Sequence, residues 1–343
     1  MKFSDPAYGR FEIGHRVLED VISTAAVQRL RKINQYGAWQ FILPRLRTSR
    51  FDHCIGVCHL LGRLGASLEE QVAGLAHEVS HTAFSHVTDY LYQDGEQERQ
   101  GPLFEKALMG SEIPAILRRY GMSPKSMLET SRFRLLEREH PDLCADRLDS
   151  FFRDSVLLRI CTQDQVHMFL RYLTKEEGEI MVTDTVAAKR MAMAYMECSK
   201  KLWASPTQAA SYKIMADAIR HAMMSRVVSR DDFLLTDQEL YRKMRGSGNP
   251  NVVSRLDMIT PSFFAVHSPQ KYDFFVKTSA GCMDPKVLHA GNVSRLSEID
   301  PEYKVLMDQF VARASQGHFV RVFPGKKQGM KNAYLNKVFN IWQ

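Results

Sequence analysis

The sequence predicts a mainly α-helical protein ending in a small α+β appendage. Apolar residues recur at three- and four-residue steps over most of the stretch from His15 to Val228, which is helical spacing. Glycine and proline punctuate that pattern at short intervals and so separate one helix from the next. Strand-like aromatic runs, "YDFFVKTSA" and "HFVRVFP", gather in the last ninety or so residues. These features divide the chain into a helical core over 1–245 and a C-terminal region over 252–343, with the polar "RGSGNPN" segment between them.

Residues 1–14 read as a loop or short ribbon leading inward. Val17, Leu18, Val21, Ile22, Val27, Leu30 and Ile33 predict a helix over 15–33, and Gly37 and Pro44 break it into an aromatic turn. A second helix is expected from about Phe51 to Gly65. Ser67 then opens a third with a capping box, because Glu70 stands three residues later. "VAGLA", residues 72–76, is apolar around its whole circumference, so that helix is expected to be buried. "EIPAILRRYG" and "PKSMLET" read as short helices. Pro141 fits the first turn of "PDLCADRLDSFFRDSVLLRI", where Asp146, Asp149, Ser150 and Arg153 share one stripe and Arg147, Phe151 and Asp154 the next. Further helices are expected over 186–202 and 206–228, and "PEYKVLMDQFVARAS" adds one to the appendage.

At 343 residues the chain has room for a large core plus an appendage. The 45% hydrophobic and 25% charged fractions are ordinary for a soluble globular protein. Six cysteines without a CxxC pair argue against a zinc ribbon or a dithiol redox motif, and for buried free thiols in a reducing compartment. The amino terminus lacks the apolar core of a secretion signal, and no run approaches about 18 apolar residues, so no membrane span is expected. A cytoplasmic location follows, with a nuclear one also compatible. The net charge of +7 suits anionic ligands such as phosphates or nucleic acid, and it is also common on bland surfaces.

The chemistry concentrates in "LAHEVSHTAFSH", Leu75 to His86. His77 and Glu78 leave a buried helix together, where an unpaired charge would be costly, and His81 and His86 follow closely. With His53 on the preceding helix and Asp146 on a later one, the sequence offers imidazole and carboxylate ligands from separate parts of a scaffold. A divalent metal that activates water needs such a set. Taken singly, each histidine is as well explained by a hydrogen bond to a backbone carbonyl; the combination is what points to a site. His59 faces away from His53 and reads as structural.

"RLRKINQYG", "SRFDHCIGV", "LAHEVSHTAFSH" and "CADRLDSFFRDS", in that order, resemble successive blocks of the HD-domain phosphohydrolases, most closely the deoxynucleoside triphosphate triphosphohydrolases. The resemblance is good over about residues 20–155. It implies an HD-domain helical bundle in which His53, His77, Glu78 and Asp146 hold a divalent metal (Mn, Fe, Mg or Zn), with Glu78 standing where aspartate is usual. It implies that His81, His86 and Asp89 lie around the substrate phosphates and the catalytic acid. Arg50 and Arg147 match phosphate-contacting positions, and Gln35 and Asp154 match positions that hold a sugar hydroxyl. Ser150 replaces a sugar-stacking tyrosine, and Tyr36 replaces a smaller apolar residue. A further family histidine aligns with Gln97, before Glu98.

The implied activity is metal-dependent hydrolysis of a nucleotide or related phosphate ester, a (deoxy)nucleoside triphosphate above all, in a homo-oligomer. The alternative is a catalytically impaired HD protein that binds nucleotide or nucleic acid. A third reading, a di-iron oxygenase, needs two more histidine ligands in register.

Overall fold

The computed structural model describes residues 1–91, 100–277 and 281–324. The chain begins with an antiparallel hairpin, Lys2–Asp5 against Gly9–Glu12, with Lys2 opposite Glu12. The Asp5 carboxylate closes its turn by accepting the backbone N–H groups of Ala7 and Tyr8.

The helix expected over 15–33 is two helices, Arg16–Ile22 and Ala25–Arg29, followed by a 3-10 turn at Leu30–Lys32. Thr24 causes the break. Its hydroxyl donates to the Val21 carbonyl and accepts from Val27 N–H, so it ends one helix and caps the next. The aromatic turn folds as a 3-10 helix, Gly37–Phe41, with Trp39 buried.

The central helix, Arg50–Arg63, starts at a complete capping box made by Ser49 and Asp52. Helix Leu68–Ala76 starts at Ser67, but the box expected there is only half made. Ser67 accepts from Glu70 N–H, whereas the Glu70 carboxylate turns away to accept from Leu135 and Leu136 N–H. Two buried backbone donors from a distant loop compete better for that carboxylate than one exposed cap. The same loop delays the helix expected from Pro141, which runs Ala145–Leu157. Ala145 and Asp146 donate to the Leu135 and Leu136 carbonyls, which holds the preceding residues extended.

Close approach at two glycines sets these three helices together. A Cβ on Gly74 would lie 2.6 Å from Leu61, and one on Gly56 would lie 1.8 Å from the Asp149 carboxylate. The absent side chains let helix Leu68–Ala76 and helix Ala145–Leu157 press closely onto the central helix.

Helices Thr185–Cys198, continued by a π turn, and Pro206–Met224 match the later helical pattern, the second ending four residues early. The "RGSGNPN" segment is more ordered than punctuation. It holds the end of helix Asp237–Gly246, and Asn249 caps helix Pro250–Met258. The sequence reading missed the hairpin Leu173–Glu176/Glu179–Val182, whose lysine and glutamates are poor strand formers. Its second strand pairs with Lys286–His289 at Val182–Val287, and Asn292–Arg295 completes the sheet, so backbone pairing crosses the expected boundary near 245–252. A three-stranded sheet, Phe264–His267, His318–Phe323 and Phe274–Val276, and helix Pro301–Ala314 form the rest of the described appendage. All six cysteines are free and buried. Among the described residues no helix is long and apolar enough to cross a membrane.

Candidate metal centre

Three helix ends converge on one point. His53 lies on the first turn of helix Arg50–Arg63, His77 caps the C-terminus of Leu68–Ala76 with Glu78 next to it, and Asp146 opens Ala145–Leu157. One ligand atom from each of His53, His77, Glu78 and Asp146 lies within 4.8 Å of all the others. His53 Nε2 is 2.9 Å from Asp146 Oδ1 and 3.8 Å from Glu78 Oε1, and His77 Nε2 is 3.7 Å and 3.4 Å from the same two oxygens. Among the described residues this is the only such group.

The donor set fits a divalent cation. His77 donates from Nδ1 to the Gly74 carbonyl, so its Nε2 is the lone-pair nitrogen, buried, without a hydrogen-bond partner and facing two carboxylates. His53 is ordered in the same sense. Its Nδ1 lies 2.8 Å from Asp149 Oδ2, which selects the tautomer that presents Nε2 to the site. Burial disfavours charge on His53, but the hydrogen bonds and charges of Asp146 and Asp149 outweigh it and raise the imidazole to about 10. A cation bound at Nε2 takes the place of that proton.

Asp149 is itself held on every side. It accepts from the Tyr8 hydroxyl at 2.7 Å and from Arg153 Nε at 2.7 Å, and Arg153 in turn reaches Asp5 Oδ2 at 2.5 Å. The amino-terminal hairpin therefore locks the group that orients His53. Sequence reasoning placed Asp149 and Arg153 on the same helix stripe as Asp146 but gave them no task, and it passed over Tyr8.

Glu78 shows what the extra methylene does. Arg50 Nη1 donates to both of its oxygens, at 2.9 and 2.8 Å, and His81 Nε2 lies 3.2 Å from Oε2. Burial opposes its charge, but Arg50 and the histidines hold the carboxyl well below the usual range. Arg50 thus spends Nη1 on Glu78 and Nε on Ser85, leaving Nη2 buried without a hydrogen-bond partner. Arg147 turns Nη1 and Nη2 to the Asp142 and Arg138 carbonyls. His81 is kept neutral first by burial and then by Arg50. His86 is half exposed, packs edge-on against His81, and pairs through Nδ1 with Asp89 at 3.1 Å. Gln97 and Glu98 lie outside the described residues.

These groups line a cavity of about 1220 Å³. Also in its lining, Gln35 donates to Ser150 Oγ at 3.0 Å, and Tyr195 and Trp203 pack at 4.8 Å between ring centres. Asp154 accepts from the Tyr36 hydroxyl and the Trp203 indole N–H, both at 2.5 Å, so each of its oxygens already has a protein donor. Burial pushes its carboxyl up to about 6 against the pull of those donors.

An unfolded aspartate titrates near 3.9, so the folded chain holds the Asp154 proton more tightly. The resulting stabilisation is complete below about pH 4 and disappears as pH rises through about 6, a swing of roughly 2–3 kcal/mol. Urea titrations between pH 4 and 7.5 on wild-type and Asp154→Asn protein should reveal this slope in their difference. A flat difference would show that Asp154 titrates normally.

Two imidazoles and two carboxylates in a helical scaffold, with His77, Glu78 and Asp146 lining a cavity and His53 buried behind them, make the donor set of a metal-assisted hydrolase. The comparisons with known proteins agree. The chain is 31% identical over 255 residues to the metal-dependent phosphohydrolase cns2 of Cordyceps militaris, covering 72% of this chain and 73% of that protein. It is 32% identical over 323 residues to the uncharacterized protein YdhJ of Bacillus subtilis (strain 168), covering 94% and 99%. A shorter match, 31% over 146 residues, joins 36% of this chain to 22% of the mouse deoxynucleoside triphosphate triphosphohydrolase SAMHD1. Among solved structures, a phosphohydrolase from Bacteroides thetaiotaomicron VPI-5482 superimposes with a TM-score of 0.67 at 16% identity, covering 95% of this chain and 100% of that one. That likeness speaks for the fold. No protein-family model matches the chain. The chain belongs to the HD-domain family of metal-dependent phosphohydrolases, near its SAMHD1 branch.

Proposed function

We propose that the protein hydrolyses a phosphate ester of a nucleotide, with water attacking phosphorus at the His53–His77–Glu78–Asp146 centre. The observation that carries this is the meeting of those four ligand atoms within 4.8 Å on a cavity large enough for a nucleotide. A divalent metal held there supplies Lewis-acid polarisation of the phosphoryl oxygen and activation of water. The chain's own groups do the rest. Asp149 fixes the His53 tautomer, and Arg50 keeps Glu78 ionised and aimed. His81, kept uncharged by burial and Arg50, lies beside Glu78 as a neutral hydrogen-bonding neighbour of the substrate phosphate. His86, oriented by Asp89 at the cavity wall, can deliver a proton to the leaving oxygen.

The test is metal analysis of purified protein, followed by a nucleotide panel with manganese, magnesium or iron, with products read by phosphorus NMR. Bound metal and phosphate release are the expected result. Absence of both defeats the proposal. Tight, metal-independent ligand binding without turnover would leave the protein a nucleotide- or nucleic acid-holding member of its family.

A further inference from the structure

The substrate's charge state can be read from the lining of the cavity. Its described residues include six carboxylates, on Glu78, Asp89, Glu105, Glu137, Asp146 and Asp154, against the guanidiniums of Arg50 and Arg147, and no lysine. A dication balances Glu78 and Asp146 and leaves acids in excess. Both arginines are already engaged, Arg50 by Glu78 and Arg147 by two backbone carbonyls, so neither offers a free fork to a phosphate chain. Sites that bind polyphosphates surround them with cations, because each further phosphate brings more charge into a confined, weakly screened space. Here the volume would admit a triphosphate, but the charge opposes it.

Other lining residues suit a nucleoside. Tyr195 and Trp203 supply aromatic surface, and the Gln35 and Gln208 side-chain oxygens are buried on the cavity without a hydrogen-bond partner, ready to accept from hydroxyl or amino groups.

We infer that the site takes a nucleoside monophosphate in preference to the corresponding triphosphate. This rests on the phosphohydrolase reading of the same centre. A monoester brings about two negative charges at neutral pH and a triphosphate more, so the monoester adds least to the acid excess, and the free Nη2 of Arg50 can donate to it. The bond broken is the one between phosphorus and the ester oxygen; water supplies the hydroxyl on phosphate, and the departing oxygen takes a proton.

The experiment compares adenosine mono-, di- and triphosphate on manganese-loaded protein, by turnover and by calorimetric binding. The expected result is a monophosphate kcat/KM at least about tenfold above that of the triphosphate, with binding in the same order. Equal or better handling of the triphosphate overturns the inference, as does failure of all three to bind. Binding in the predicted order without any turnover supports the inference while defeating the hydrolase reading. Glu105 and Glu137 are exposed, so the Glu105→Lys/Glu137→Lys protein should fold normally. It should narrow the preference at least threefold at low salt. An unchanged ratio would show that the acidic lining does not set it.

Discussion

Asp146→Ala should abolish metal binding and lower kcat/KM by on the order of 10³-fold or more, the scale expected when a hydrolytic site loses the ion that activates its water. Removing this carboxylate leaves two imidazoles and Glu78, whose two oxygens Arg50 Nη1 already shares. The remaining set carries one negative charge where the full set carries two, so both the number of ligands and the charge matched to a dication fall together. The fold should survive. The Asp146 side chain is 37% exposed, so its loss opens no closed void. What goes is a favourable acid on the first turn of a helix and one charged hydrogen bond to His53, together about 2–3 kcal/mol. Two readouts separate the causes. Manganese should raise the melting temperature of the wild-type protein and leave that of Asp146→Ala unmoved. Elemental analysis should find the variant metal-free after reconstitution. Stoichiometric metal with retained turnover would remove Asp146 from the site.

The four residues that meet at the candidate centre were legible because each is marked locally. His77 and Glu78 end an apolar helix, His53 lies early in the helix expected from about Phe51, and Asp146 lies in the helical pattern that follows Pro141. What surrounds them was not. The partner that orients His53 lies 96 residues away on Asp149, and the hydroxyl that holds Asp149 comes from Tyr8, 141 residues back along the chain. No periodicity or motif in the sequence joins them. The extra methylene of Glu78 was visible and its ambiguity with it, but the direction taken depends on Arg50 lying 2.8 Å away across the helix interface. Glu70 teaches the same lesson in the scaffold: the sequence offers it a cap, and tertiary donors win. The missed hairpin at 173–182 is stabilised by pairing with a strand more than a hundred residues later, which no local propensity reports.

Asp149 gives the second large effect, and it separates orientation from ligation. Asp149→Ala removes a fully buried acceptor and leaves the Arg153 charge, the His53 Nδ1 and the Tyr8 hydroxyl facing a void beside Gly56. Breaking a buried ion pair from one side costs about 3–5 kcal/mol, enough to lower the melting temperature by several degrees or more. That result alone would not distinguish a structural acid from one that tunes the metal. Asp149→Asn does. The amide fills the same volume, so the packing against Gly56 stays and stability should recover in part. The carboxamide has only one acceptor oxygen for three donors that the carboxylate served. At the Oδ2 position its oxygen still accepts from both Arg153 Nε and His53 Nδ1, with the N–H₂ facing the Tyr8 hydroxyl, but a neutral oxygen accepts more weakly and no longer raises the basicity of His53. Asp149→Asn should therefore be more stable than Asp149→Ala yet bind manganese about 10–100-fold more weakly than wild type. Tyr8→Phe removes one donor and no charge, so it should cost about 1 kcal/mol and weaken manganese only slightly. Manganese titration followed by electron paramagnetic resonance measures all three variants on one scale. Wild-type affinity in Asp149→Asn would show that the hairpin network steadies the fold without setting the state of His53.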